Sequence, residues 1–147
     1  MANVIAVCIS EAKGTPKHEV PEIVLKEHHG IIGDAHAGDW HRQVSLLGTD
    51  SVEKLKSVLP DIPAGAFAEN ILTSGIVLYQ LPIGTRLQIA DTLLEITQIG
   101  KECHNNCAIR RQTGDCVMPR EGVFAIVLKG GVIRAGDEIT QLPAHTD

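Results

Sequence analysis

Apolar residues in this chain come in short runs, and glycine, proline and acidic turn residues break them apart. Residues 4–10 are apolar and rich in β-branched side chains, which predicts a first strand. Residues 11–17 contain Gly14 and Pro16 and predict a turn. Residues 22–27 alternate imperfectly and predict a second strand. A long loop rich in glycine and histidine follows over residues 28–41, and residues 44–47 resume a strand. One helix is signalled: Thr49 or Asp50 can cap it, Val52, Leu55, Val58 and Leu59 share helical spacing, and Pro60 stops it. Residues 68–73 form a short segment of undecided type. Residues 86–89 and 93–99 predict paired strands across a tight turn at Ala90-Asp91. Residues 124–128 predict an apolar strand that Gly130-Gly131 closes. Residues 132–133 and 138–142 predict a last pair around Gly136-Asp137.

Many short strands with one or two helices argue for a mainly β barrel rather than a βαβ sheet. Two stretches, Ile83-Gly84-Thr85-Arg86-Leu87 and Ala135-Gly136-Asp137-Glu138-Ile139, each set a glycine turn before an alternating strand, as successive hairpins of a barrel would. No linker or domain boundary interrupts the 147 residues, so a single domain is expected. Aromatic residues are only 3 % of the chain, so the core must rest on Val, Ile, Leu and Ala.

Charge narrows the partners. The net charge is −5 and the basic residues are scattered, which argues against nucleic acid. No apolar run reaches membrane-spanning length, and the N-terminus lacks the basic region of a signal peptide, so a cytoplasmic protein without a membrane role is expected. In that compartment the four cysteines read as thiols, ligands or catalysts rather than disulfides.

Four segments can carry chemistry. In Lys101-Glu102-Cys103-His104-Asn105-Asn106-Cys107, a cysteine at a strand end sits beside Lys101 and His104, and nearby positive charge lowers a thiol pKa. The thiolate can accept or donate sulfane sulfur or ligate a soft metal. If the segment is helical, Cys107 shares its face and can act as a resolving thiol. The plainer alternative is two small core residues. Adding Cys116 gives a Cys-Cys-Cys-His zinc set with His104, although the paired C-x2-C spacing of structural zinc sites is missing. Cys8 falls inside the first strand and reads as core. The loop Gly33-Asp34-Ala35-His36-Ala37-Gly38-Asp39-Trp40-His41-Arg42 can bind a divalent metal, face an anion with its backbone N–H groups, histidine and Arg42, or simply make turn hydrogen bonds. Glu69-Asn70 can orient a polar ligand or cap a turn. Arg120, with Arg110 and Arg111 nearby, can clasp an oxyanion or pair with a surface acid.

Taken together, Gly30-Ile31-Ile32-Gly33-Asp34-Ala35-His36, Val44-Ser45-Leu46-Leu47, Gly65-Ala66-Phe67-Ala68-Glu69-Asn70-Ile71, Lys101-Glu102-Cys103 and Arg120-Glu121-Gly122-Val123-Phe124-Ala125 resemble the MOSC domain, named for the C-terminal region of molybdenum cofactor sulfurases. The resemblance runs nearly the full chain and is strongest to small stand-alone bacterial members. It implies one MOSC-type β-barrel with a few short helices over residues 1–147. It also implies a pocket for molybdenum cofactor (molybdopterin) or a related sulfur-bearing ligand, and a reactive cysteine that falls on Cys103. Gly33, Asp34, His36, Asn70, Lys101 and Arg120 are the pocket-lining residues so implied, with no resident metal. The implied role is a sulfur carrier or sulfurtransferase whose partners are the pterin cofactor or a sulfur-donor protein. These 147 residues show no counterpart of the pyridoxal-phosphate desulfurase domain of the larger sulfurases, so the chain is not expected to generate its own sulfur. Glu102 stands where many relatives have proline. The rival readings are a zinc-binding Cys/His protein and a non-enzymatic partner module for cofactor-synthesis proteins.

Overall fold

The computed structural model describes residues 2–11, 17–53, 64–65, 67, 69–100 and 122–142. In chain order they form β1 (Asn3–Ile9), β2 (His18–Val20), β3 (Glu22–Lys26), β4 (Gly30–Ile31), β5 (Val44–Gly48), α1 (Thr49–Glu53), β6 (Ile71–Ser74), a 3-10 turn (Leu78–Gln80), β7 (Arg86–Ile89), β8 (Thr92–Ile99), β9 (Val123–Lys129), β10 (Gly131–Arg134) and β11 (Ile139–Leu142). The protein is mainly β. An eight-stranded sheet runs β11-β7-β8-β9-β5-β6-β1-β2, and a smaller one runs β10-β3-β4. The expected helix begins where the Thr49 and Asp50 signals place it, and its continuation lies outside the described residues.

Period-two burial explains why these segments are strands. In β3, Ile23 and Leu25 are buried between exposed neighbours, and in β8 Thr92, Leu94 and Ile96 alternate inward. The main core gathers Val7, Ile23, Leu46, Ile71, Leu94 and Val127, among others, between the two sheets. Each such side chain contributes roughly 1.5–3 kcal/mol by leaving water. A second, smaller cluster of Ala6, Cys8, Leu47, Val52, Phe67, Leu72 and Phe124 lies on the opposite face of the large sheet. β5 is buried at every position because Val44 and Leu46 face the main core while Leu47 faces the second cluster.

Two expectations change. Residues 132–133 and 138–142 do not pair with each other. β10 pairs with β3, setting Ile133 opposite Ile23, and β11 pairs with β7, setting Ile139 opposite Ile89. The Gly136-Asp137 turn exists, with the Arg134 N–H donating to Asp137 Oδ2 at 2.8 Å, but it hands the chain from one sheet to the other. The two glycine-turn strands that look alike in sequence, β7 and β11, are therefore direct neighbours.

The second change concerns the barrel: among the described residues no closed barrel is found. The start of β1 does meet the turn before β11, through Val4 N–H to Asp137 O (2.8 Å), Gly136 N–H to Val4 O (2.7 Å) and Ile139 N–H to Ala2 O (2.9 Å). One isolated bridge, Asn3 to Glu138, accompanies them. Further along, β2 already pairs with β1 at residues 7–9, so the remaining length is too short for a ladder. No helix among the described residues is long and apolar enough to cross a membrane.

Candidate functional site

The glycine-histidine loop lies across one face of the large sheet, from the end of β1 to β8. At the β1 end, the Ala35 N–H donates to Ser10 O (2.8 Å). The Ser10 N–H donates to Asp34 Oδ1 (3.1 Å). In mid-course, the Gly38 N–H reaches His29 O at 2.7 Å. At the β8 end, His41 Nε2 meets Gln98 Oε1 at 2.7 Å, and the Thr97 hydroxyl donates to His41 O. A register shift between Ile96 and Gln98 on β8 brackets Thr97 and accompanies that contact.

Lys17 organises the β1 end. Its side chain is wholly buried, with Nζ 2.7 Å from Asp34 Oδ1, 3.2 Å from Ser10 Oγ and 2.9 Å from His36 Nδ1. Asp34 Oδ2 also accepts the His36 N–H at 3.1 Å. An ammonium has donors only, so His36 Nδ1 must accept, and the neutral ring then carries its proton on Nε2. Gly65 makes room for this arrangement. Its backbone turns at φ +86°, and a Cβ there would collide with Lys17 O. The Lys17 N–H donates to Gly65 O at 2.9 Å.

Glu69 and Asn70 sit beneath, both buried. Glu69 accepts the Gly65 N–H (2.9 Å) and the Phe67 N–H (3.1 Å). Burial raises its carboxyl pKa against these hydrogen bonds and the Lys17 charge. The Asn70 amide is used entirely within the sheet: Oδ1 accepts from Ser45 N–H (2.9 Å) and Ser45 Oγ (3.1 Å), and Nδ2 donates to Cys8 O (3.0 Å). Cys8 is buried as expected, and burial, reinforced by Glu69 and Glu19, pushes its thiol pKa up to about 12.

Of the pocket residues implied by sequence, Asp34 and His36 converge on Lys17. Gly33 is exposed on the same loop at φ +89°. Asn70 does not touch them; it bonds Cys8 O on β1, two residues from Ser10. Lys101, Cys103 and Arg120 lie outside the described residues, as do His104, Cys107, Cys116, Arg110 and Arg111. The flanks of that segment are described. The Gly100 N–H donates to Gly122 O at 2.6 Å, and Gln98, which holds His41, also donates from Nε2 to Gly100 O at 2.7 Å. Through Gln98 the loop's far end is therefore linked to Gly100, which with Gly122 flanks positions 101–121. As for a metal in this loop, Asp34 and His36 turn to an ammonium, and among the described residues no group of three or more His, Cys, Asp or Glu is placed to hold one.

Lys17 is the residue that sequence reading passes over. It stands at the end of a glycine-proline turn, where lysine is ordinarily solvated. Its signal is non-local: side-chain partners 7, 17 and 19 positions away.

A mainly β fold with this loop and these flanking strands matches a family. The model of the MOSC domain fits residues 33–140, and the chain belongs to that family. Among solved structures, it is similar to the YuaD protein of Bacillus subtilis, with TM-score 0.80 and 18 % identity over 99 % of this chain and 98 % of that one. It is also similar to YiiM of Geobacillus stearothermophilus (TM-score 0.74, 18 % identity, 97 % and 76 % covered) and YiiM of Escherichia coli (TM-score 0.68, 17 % identity, 100 % and 72 % covered). Among curated proteins none matches.

Proposed function

We propose that this protein binds molybdenum cofactor, or a related sulfur-bearing ligand, and carries or transfers sulfur through Cys103 in the cytoplasm. The observation that carries the reading is the family match, whose span includes Cys103 and begins at the loop that Lys17 anchors. Two features of the described residues fit such an anionic ligand. Arg42 on that loop has a buried Nε without a hydrogen-bond partner. His36 has its proton placed on Nε2 by Lys17, which makes that atom a donor.

In this reading the Cys103 thiolate attacks the outer sulfur of a persulfide on a donor protein. The donor's S–S bond breaks, a new S–S bond forms at Cys103, and the donor leaves as thiolate, so no net oxidant is needed. Lys101 and His104 favour the thiolate by their charge. Arg120 and His36 hold the ligand, while Lys17 and Asp34 fix the loop. The cofactor, when bound, supplies a metal that takes a sulfur ligand.

The test is intact-protein mass measurement after exposure to a persulfide donor. Wild type and Cys107→Ser should each gain one sulfur, and Cys103→Ser none. Equal loading of Cys103→Ser would remove this residue from the mechanism. Native mass spectrometry of protein from molybdate-replete cells would report bound pterin directly.

A further inference from the structure

Three arginines fall among the described residues, and two have carboxylate partners. Arg86 pairs with Glu95 at 3.4 Å and Arg134 with Glu22 at 3.0 Å. Arg42 has none among the described residues, and its Nε is buried without a hydrogen-bond partner. Aromatic faces hold it instead: its guanidinium carbon stands 4.5 Å from the Trp40 ring centroid and 5.7 Å from that of Phe124. Trp40 is itself pinned, its indole N–H donating to His36 O at 2.8 Å.

Ring faces return only about 0.5–2 kcal/mol for a guanidinium. A partly desolvated charge with no counter-ion is otherwise unfavourable. The Lys17 charge nearby is already met by Asp34. Among the described residues that leaves Arg42 as the cation of the loop without a carboxylate partner, in a protein of net charge −5 whose general surface repels anions. The residue as a whole is only half-buried. Next to it, His41 contacts Gln98, which leads to Gly100.

We propose that Arg42, clamped between Trp40 and Phe124, is an oxyanion-recognition residue whose counter-ion is the ligand. Its chemistry suits a tetrahedral oxyanion, either a phosphate monoester or an oxo-molybdate, because a guanidinium offers paired N–H donors in a fixed fork. The clamp lowers the ordering cost of binding, since the side chain is already held. This inference rests on the reading that the loop faces the ligand, but not on Cys103.

Trp40 is the only tryptophan, so its fluorescence reports on Arg42 directly. The full chain is titrated at constant ionic strength with inorganic phosphate and, separately, with molybdate, and calorimetry measures the same affinities. At least one anion should bind saturably, with a change in Trp40 emission. A response to phosphate alone assigns the phosphate-ester end of a ligand to Arg42, and a response to molybdate alone assigns the oxo-metal end. Arg42→Met keeps the apolar stack and should weaken binding roughly 10- to 100-fold, the loss expected for charge-assisted hydrogen bonds. Arg134→Gln, remote and exposed, should bind as wild type. If Arg42→Met does not fold, Arg42→Lys carries the test: a point charge lacks the fork and should bind several-fold more weakly. Absence of saturable binding by both anions, or wild-type affinity in the Arg42 variant, overturns the proposal. The titration uses neither pterin nor persulfide, so it can succeed with Cys103 idle and fail with Cys103 reactive.

Discussion

Lys17 is an ammonium in the interior, and its retention depends on three partners at once. Removing it leaves the Asp34 carboxylate buried without a counter-charge, a loss of about 3–5 kcal/mol in comparable buried pairs. Lys17→Met should therefore destabilise the fold strongly, and Lys17→Met with Asp34→Asn should recover part of the loss. Urea denaturation of wild type, Lys17→Met, Asp34→Asn and the double variant measures the coupling. Nitrogen NMR of His36 should find the Nε2–H tautomer in wild type and a mixture in Lys17→Met. Cys8 gives a pH prediction at the same scale. Its thiol rises from an ordinary 9.0 to about 12 in the folded chain. Between those values the unfolded chain has lost a proton that the folded one keeps, so stability falls as pH rises above about 9. Cys8→Ala should flatten that slope. At neutral pH, peptide-resolved alkylation should leave Cys8 unlabelled until the protein unfolds.

Between residue and fold, Asn70 links three strands: its amide ties the start of β6 to β5 at Ser45 and to β1 at Cys8. Asn70→Ala leaves a buried N–H and a buried carbonyl without these partners, at about 1–3 kcal/mol each. Denaturant unfolding should show that loss, whereas Ile5→Ala on the exposed face of β1 should cost little. Gly30 works by close approach. At φ +116°, a Cβ would stand 2.8 Å from Gln43 O, so Gly30→Ala should shift the loop and lower the melting temperature.

Across the whole molecule, the large sheet's edges approach where residues 2–4 meet residues 136–139. If these contacts hold as firmly as a ladder, the amides of Val4, Gly136 and Ile139 should exchange with deuterium as slowly as those of β8 and β9. Fast exchange at these three amides alone would mark the junction as a seam that opens independently. The second apolar cluster around Phe124 and Cys8 places a site-bearing loop over a packed face, so the loop's geometry is set by the sheet beneath it.

Local pattern was enough for β1, β3, β5, the β7–β8 pair and β9, because alternation and turn residues act between near neighbours. It was enough too for bringing Asp34 and His36 together, since a single residue separates them, and for the family resemblance that the domain match bears out. Strand partnership was not legible. β10 and β11 flank a genuine turn yet bury Ile133 and Ile139 against different strands, a choice made by which apolar faces meet rather than by the turn. Lys17 and Arg42 acquired their roles in the same way. Whether a cation is solvated, neutralised by a carboxylate or left stacked on two rings depends on what the folded chain brings beside it, and only the tertiary structure decides that.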